Sequence, residues 1–80
     1  MRLIESTNDV KLNDIVLVLF NDKPDYGIWH NKKCVVTELC EPDAIKISQI
    51  DRNESGYAKL NGAVYKIFLY NKSFGILMNL

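Results

Sequence analysis

The chain has little of the residue chemistry that usually announces a function. Ten Lys and Arg balance ten Asp and Glu, for a formal net charge of +0, so no global field draws it to nucleic acid or an anionic membrane. Any such binding has to come from a local patch. The longest apolar run, Ile15 to Phe20, falls far short of the roughly 20 residues that cross a bilayer. No basic-plus-apolar leader precedes it, so the expected location is the cytoplasm, without a membrane partner. Gly27, Gly56, Gly62 and Gly75 are scattered, whereas cradling a phosphate needs clustered glycines before a helix.

Cysteine is scarce too, with only Cys34 and Cys40. On an extended strand, six positions separate their Cα atoms by about 20 Å, whereas a disulfide needs less than about 7 Å. The close Cys or His pairs that hold a metal are also missing. No cofactor or metal is expected, and the cysteines read as structural.

What remains is an 80-residue chain, 48% hydrophobic and 25% charged. That suits one folded domain over residues 1–80, with a core near the lower limit for independent stability. Asn, Ile and Lys are abundant, while Arg2 and Arg52 are the only arginines. This usage suggests an AT-rich coding genome, as in a phage or an AT-rich bacterium.

Short apolar segments separated by turn residues follow along the chain. Asp14 to Phe20 is an unbroken β-branched and aliphatic stretch, predicted as a strand buried on both faces. Cys34 to Cys40 reads as a strand with a wetter end at Thr37 and Glu38. Between them, Asn21 to Lys33 carries Pro24, Gly27, several Asn and Asp residues and the only Trp. We read it as a long decorated loop, a kind of connection that is often functional.

Ala44 to Ile50 alternates Ile45 and Ile47 with Lys46 and Ser48, the period of a half-exposed strand. A helix starting at Pro42 competes with it. Asn61-Gly62 between Tyr57–Leu60 and Ala63–Tyr70 is a strong β-hairpin signal. A turn at Asn71 to Ser73 then leads into a last strand, Phe74 to Asn79. The expectation is all-β, five to six short antiparallel strands in a small barrel.

Leu12-Asn13-Asp14-Ile15-Val16-Leu17-Val18 resembles the leucine, glycine-aspartate, alternating-valine opening of SH3-like and KOW-like barrels, with Asn13 where those usually have Gly. The long first loop, the tightly joined strands and the short turn before the final strand suit the same plan, over residues 12–80. The resemblance implies a single SH3-like barrel. Peptide-binding SH3 domains carry a paired-tyrosine motif in the first loop, where this chain has only Tyr26 and Trp29. Such barrels bind protein, RNA and DNA alike, so no specificity carries over.

Among candidate sites, His30 and Cys34 could form a base and thiol pair. Without an orienting partner, Cys34 reads better as a small core residue. The chain is therefore expected to be non-enzymatic. Asp25, Tyr26, Trp29 and His30 in the long loop make a small epitope for a protein partner, because Tyr and Trp dominate interface hot spots. The competing role for Trp29 is to fold back and plug the barrel mouth.

Lys32, Lys33, Arg52, Tyr57 and Lys59 form an alternative nucleic-acid surface of aromatic and basic groups, opposed by Asp22, Asp25, Glu41 and Asp43. In the last strand, Phe74, Ile76 and Met78 lie on one face and Leu77 on the other, an edge apolar enough to suggest a homodimer. The expected function is a protein-binding module, as in a phage or mobile-element accessory protein that modulates a host factor. A nucleic-acid-binding barrel is the alternative.

Overall fold

The computed structural model describes residues 1–21 and 27–71. Six strands form one antiparallel sheet: β1 Arg2–Leu3, β2 Ile15–Phe20, β3 Lys32–Cys40, β4 Ala44–Gln49, β5 Ser55–Lys59 and β6 Tyr65–Asn71. Their order is β1-β6-β2-β3-β4-β5. Among the described residues the outer strands β1 and β5 do not pair, so the sheet is not closed into a barrel. No helix among them is long and apolar enough to cross a membrane.

Strand β2 is the spine. Ile15, Val16, Leu17 and Val18 are all buried, as an apolar run without alternation predicts for a central strand. Val16 and Val18 join Cys34, Val36, Ile45, Ile47, Ala58, Leu60 and Ile67 in the core on one face of the sheet. At residues 44–50 the strand reading holds: β4 buries Ile45, Ile47 and Gln49 in strict alternation. A helix would have sent the two isoleucines to opposite sides.

Strand β3 carries a bulge. Val36 pairs with Ile47 and Glu38 with Lys46, leaving Thr37 as the extra residue. The extra residue shifts the alternation. Cys34 and Val36 therefore face the core, yet so does Leu39, while Thr37 and Glu38 are exposed. Both cysteines are free thiols, Cys34 buried and Cys40 half-buried.

The N-terminal segment straps the core. Ile4 N–H donates to Ile67 O at 2.8 Å, and Thr7 N–H donates to Pro42 O at 2.9 Å. Between these ties Ile4 and Val10 enter the core. A 3-10 turn at Thr7–Asp9, capped by Ser6 and Asp9, shapes the crossing. Sequence reading missed β1, a two-residue strand with both side chains exposed, which leaves no apolar pattern to detect.

The expected Asn61-Gly62 hairpin does not form. Strand β5 pairs only with β4, while β6 pairs with β1 and β2. Asn61 does have φ 60°, but Gly62 does not have positive φ, and a type I′ turn needs it at both positions. Residues 60–64 instead carry the chain from the outer strand to the far side of β2. Lys59 N–H donates to Tyr65 Oη at 2.8 Å, so the sheet is strongly curled, with β5 and β6 close in space but unpaired. The final strand expected at Phe74 to Asn79 lies outside the described residues.

Candidate functional site

Curling leaves an open groove between β5 and the junction of β2 with β6. It has a volume of about 230 Å³ and is lined by Val18, Phe20, Trp29, Ile47, Ser55, Gly56, Tyr57, Ala58 and Tyr65. Phe20 ends β2 and lies opposite Tyr65, with ring centroids 5.0 Å apart. The Tyr65 hydroxyl is held by the Lys59 N–H. The groove is smaller than the roughly 300–1,000 Å³ of small-molecule pockets, and suits one or two apolar side chains.

Trp29 reaches the groove from residues 27–31, which are fastened at three points. Gln49 Nε2–H donates to Ile28 O at 2.6 Å, Phe20 N–H donates to His30 Nδ1 at 3.0 Å, and Asn31 N–H donates to Val18 O at 2.7 Å. Asn31 has φ 60°, a conformation that Asn tolerates better than most residues. The indole is half-buried and packs against the core. The ring thus packs back onto the core rim and also lines the groove. His30 is likewise half-buried, with its Nδ1 engaged by the backbone.

The surroundings of Cys34 are the reverse of those that activate a thiol. The residue is fully buried, and its thiol is pushed up to about 12, first by burial and then by the charge of Asp51. An activated cysteine needs the opposite shift. Among the described residues no group of three or more His, Cys, Asp or Glu could hold a metal ion.

The five residues of the nucleic-acid alternative lie on β3, in the β4–β5 turn and on β5. Lys32 pairs with Asp51 at 3.7 Å. Lys33 places its ammonium 4.4 Å from the Tyr70 ring centroid. Arg52 is exposed in the β4–β5 turn, and Lys59 is exposed near the end of β5. Tyr57 belongs to a cross-strand row on the outer face, where Glu38 lies opposite Lys46 and Lys46 opposite Tyr57.

In that row the Tyr57 hydroxyl donates to Glu38 Oε1 at 3.2 Å, and the Lys46 ammonium sits 5.5 Å from its ring centroid. The hydrogen bond to Glu38, then its charge, raises the phenol above its ordinary range. Cys40 also donates to Glu38, at 3.6 Å. Asp25 and Tyr26 of the expected epitope, and Phe74, Ile76, Leu77 and Met78 of the expected dimer edge, lie outside the described residues.

Sequence reading did not name Phe20, Gly56 or Tyr65 as site residues. The sequence reads Asp51 to Gly56 as a polar turn, whereas Gly56 lies inside β5, where a lone Gly often marks a close approach by another group. Comparison with known protein families, with curated proteins and with solved structures finds no match to this chain.

Proposed function

We propose that this chain is a non-enzymatic protein-binding module of SH3-like build, and that its docking surface is the aromatic groove. One observation carries the reading: a groove lined by Phe20, Trp29 and Tyr65 stands open beside an exposed strand, and an apolar recess rimmed by aromatic side chains is the ordinary anchor point of a protein interface. The binding surface expected at residues 22–31 thereby narrows to Trp29 and extends onto β2, β5 and β6.

Two features support the SH3-like plan. The strand order β6-β2-β3-β4-β5 places the first long strand between the second and the last of the described strands, and eleven residues separate it from the second. Asn13 has φ 73° at the position where the resembling barrels carry Gly, the residue that adopts such a conformation most freely.

The test is affinity capture from cell lysate, with and without nuclease treatment, using the wild type and Gly56→Val, whose added methyl groups would occupy the groove. A protein held by the wild type and lost with the variant is the expected result. Equal capture by both, or recovery of nucleic acid alone, would overturn the reading.

A further inference from the structure

The phase of the β4–β5 ladder determines which backbone groups of β5 face outward. Gln49 N–H donates to Glu54 O at 2.8 Å, and Leu60 N–H donates to Asp43 O at 2.6 Å. In an antiparallel pair, hydrogen-bonded and non-bonded positions alternate. Ile47 and Gly56, and likewise Ile45 and Ala58, are therefore bonded pairs. Ser48 with Ser55, Lys46 with Tyr57, and Ala44 with Lys59 are the non-bonded ones. The N–H and C=O groups of Ser55, Tyr57 and Lys59 thus point away from β4. The Lys59 N–H is taken by Tyr65 Oη, and among the described residues Ser55 and Tyr57 have no backbone partner on that side.

We propose that β5 is a docking edge that takes up an extended peptide segment of a partner protein as a further antiparallel strand. The proposal rests on the binding-module reading above and names the chemistry of its partner. Unpaired donors and acceptors at strand spacing are complemented by another extended backbone. Exposed edges are normally blunted by proline, inward charge, a bulge or a covering element, and among the described residues Ser55–Lys59 carries none of these beyond Lys59 itself and the Tyr65 hydroxyl on its N–H.

The groove supplies the selection. Side chains of the added strand that lie opposite Gly56 and Ala58 fall on the core side, over Trp29 and Tyr65, so alternate residues should be apolar. Glu54 and Lys59 flank the edge with opposite charges, which favours an antiparallel segment acidic near its start and basic at its end. A five-residue edge with one recess is small beside the roughly 20–30 residues per side of a stable dimer, which favours a peptide over a second copy of the chain.

The probe is a set of capped heptapeptides, Thr-Glu-Ω-Thr-Ω-Thr-Lys, with Leu, Ile, Met or Phe at each Ω. Each is titrated into the 15N,13C-labelled chain. With the central Thr opposite Tyr57, its N–H bonds to β5, whereas that of the preceding Ω residue points away. Slowed amide exchange at Ser55 and Tyr57 is expected, with roughly tenfold weaker binding on N-methylation of the central Thr and little change on N-methylation of the Ω before it.

Shifts of the Trp29 and Tyr65 side chains without slowed exchange, or equal losses from both methylations, would overturn strand addition and leave the groove as the binding surface. No shift from any peptide of the set would also overturn it. The Gly56→Val capture experiment decides the underlying reading separately.

Discussion

The indole of Trp29 lies against Gly56: a β-carbon built on that glycine would meet Trp29 Cζ2 at 3.8 Å, and no other atom is closer. This is ordinary van der Waals contact, made across the groove between two segments far apart in sequence. It ties the loop after β2 to the outer strand of the sheet.

Gly56 has no positive φ, so its backbone suits any L residue. Gly56→Ala should stabilise the fold by about 0.4–1 kcal/mol, chiefly by restricting the unfolded chain. The midpoint of urea unfolding checks this, and a lower midpoint would mean that the contact leaves no room for a methyl group.

Trp29→Ala removes the largest side chain packed on the core rim. Because the ring is half-buried, the loss should be roughly 2–4 kcal/mol, toward or below the low end for a fully buried aromatic. A domain of this size has little reserve, so the variant should be partly unfolded at 37 °C by circular dichroism.

Tyr65→Phe deletes the hydroxyl that accepts the Lys59 N–H. The site is near the surface and water can replace it, so a cost of about 0.5–1 kcal/mol is expected. Faster amide exchange at Lys59, with the rest of β5 unchanged, is the specific readout.

Burial and Asp51 hold the Cys34 thiol near 12 in the folded chain, against about 9 for a free thiol. On raising the pH the unfolded chain releases this proton first, so the unfolded state gains stability relative to the folded one. The contribution is complete below pH 9 and is lost between pH 9 and 12, with a slope of at most about 1.4 kcal/mol per pH unit. Urea midpoints across that range should fall less steeply for Cys34→Ala than for the wild type.

The central strands were legible because their signals are local. Ile15 to Val18 announce a doubly buried strand by lacking alternation, and Ile45 and Ile47 announce β4 by having it. The groove was not legible, since it joins Phe20, Trp29, Gly56 and Tyr65 through a curl of the whole sheet that no window of sequence contains. The Asn61-Gly62 signal misled for a related reason. A turn residue reports local backbone geometry, but which strands pair is decided by burial: Ile67 and Leu69 gain more against β2 than beside the exposed residues of β5. Cys34 was legible as a core residue from its apolar neighbours.

The bulge at Thr37 gives β3 a spare residue. Removing Thr37 alone would leave Val36 opposite Ile47, Glu38 opposite Lys46 and Leu39 opposite Ile45, the pairs that exist now. Losing Cys34, Val35 or Val36 would instead carry Lys33 inward. Across evolutionary time this strand can shorten by a single codon at one place and keep its meaning, so any length variation within β3 should be found at Thr37.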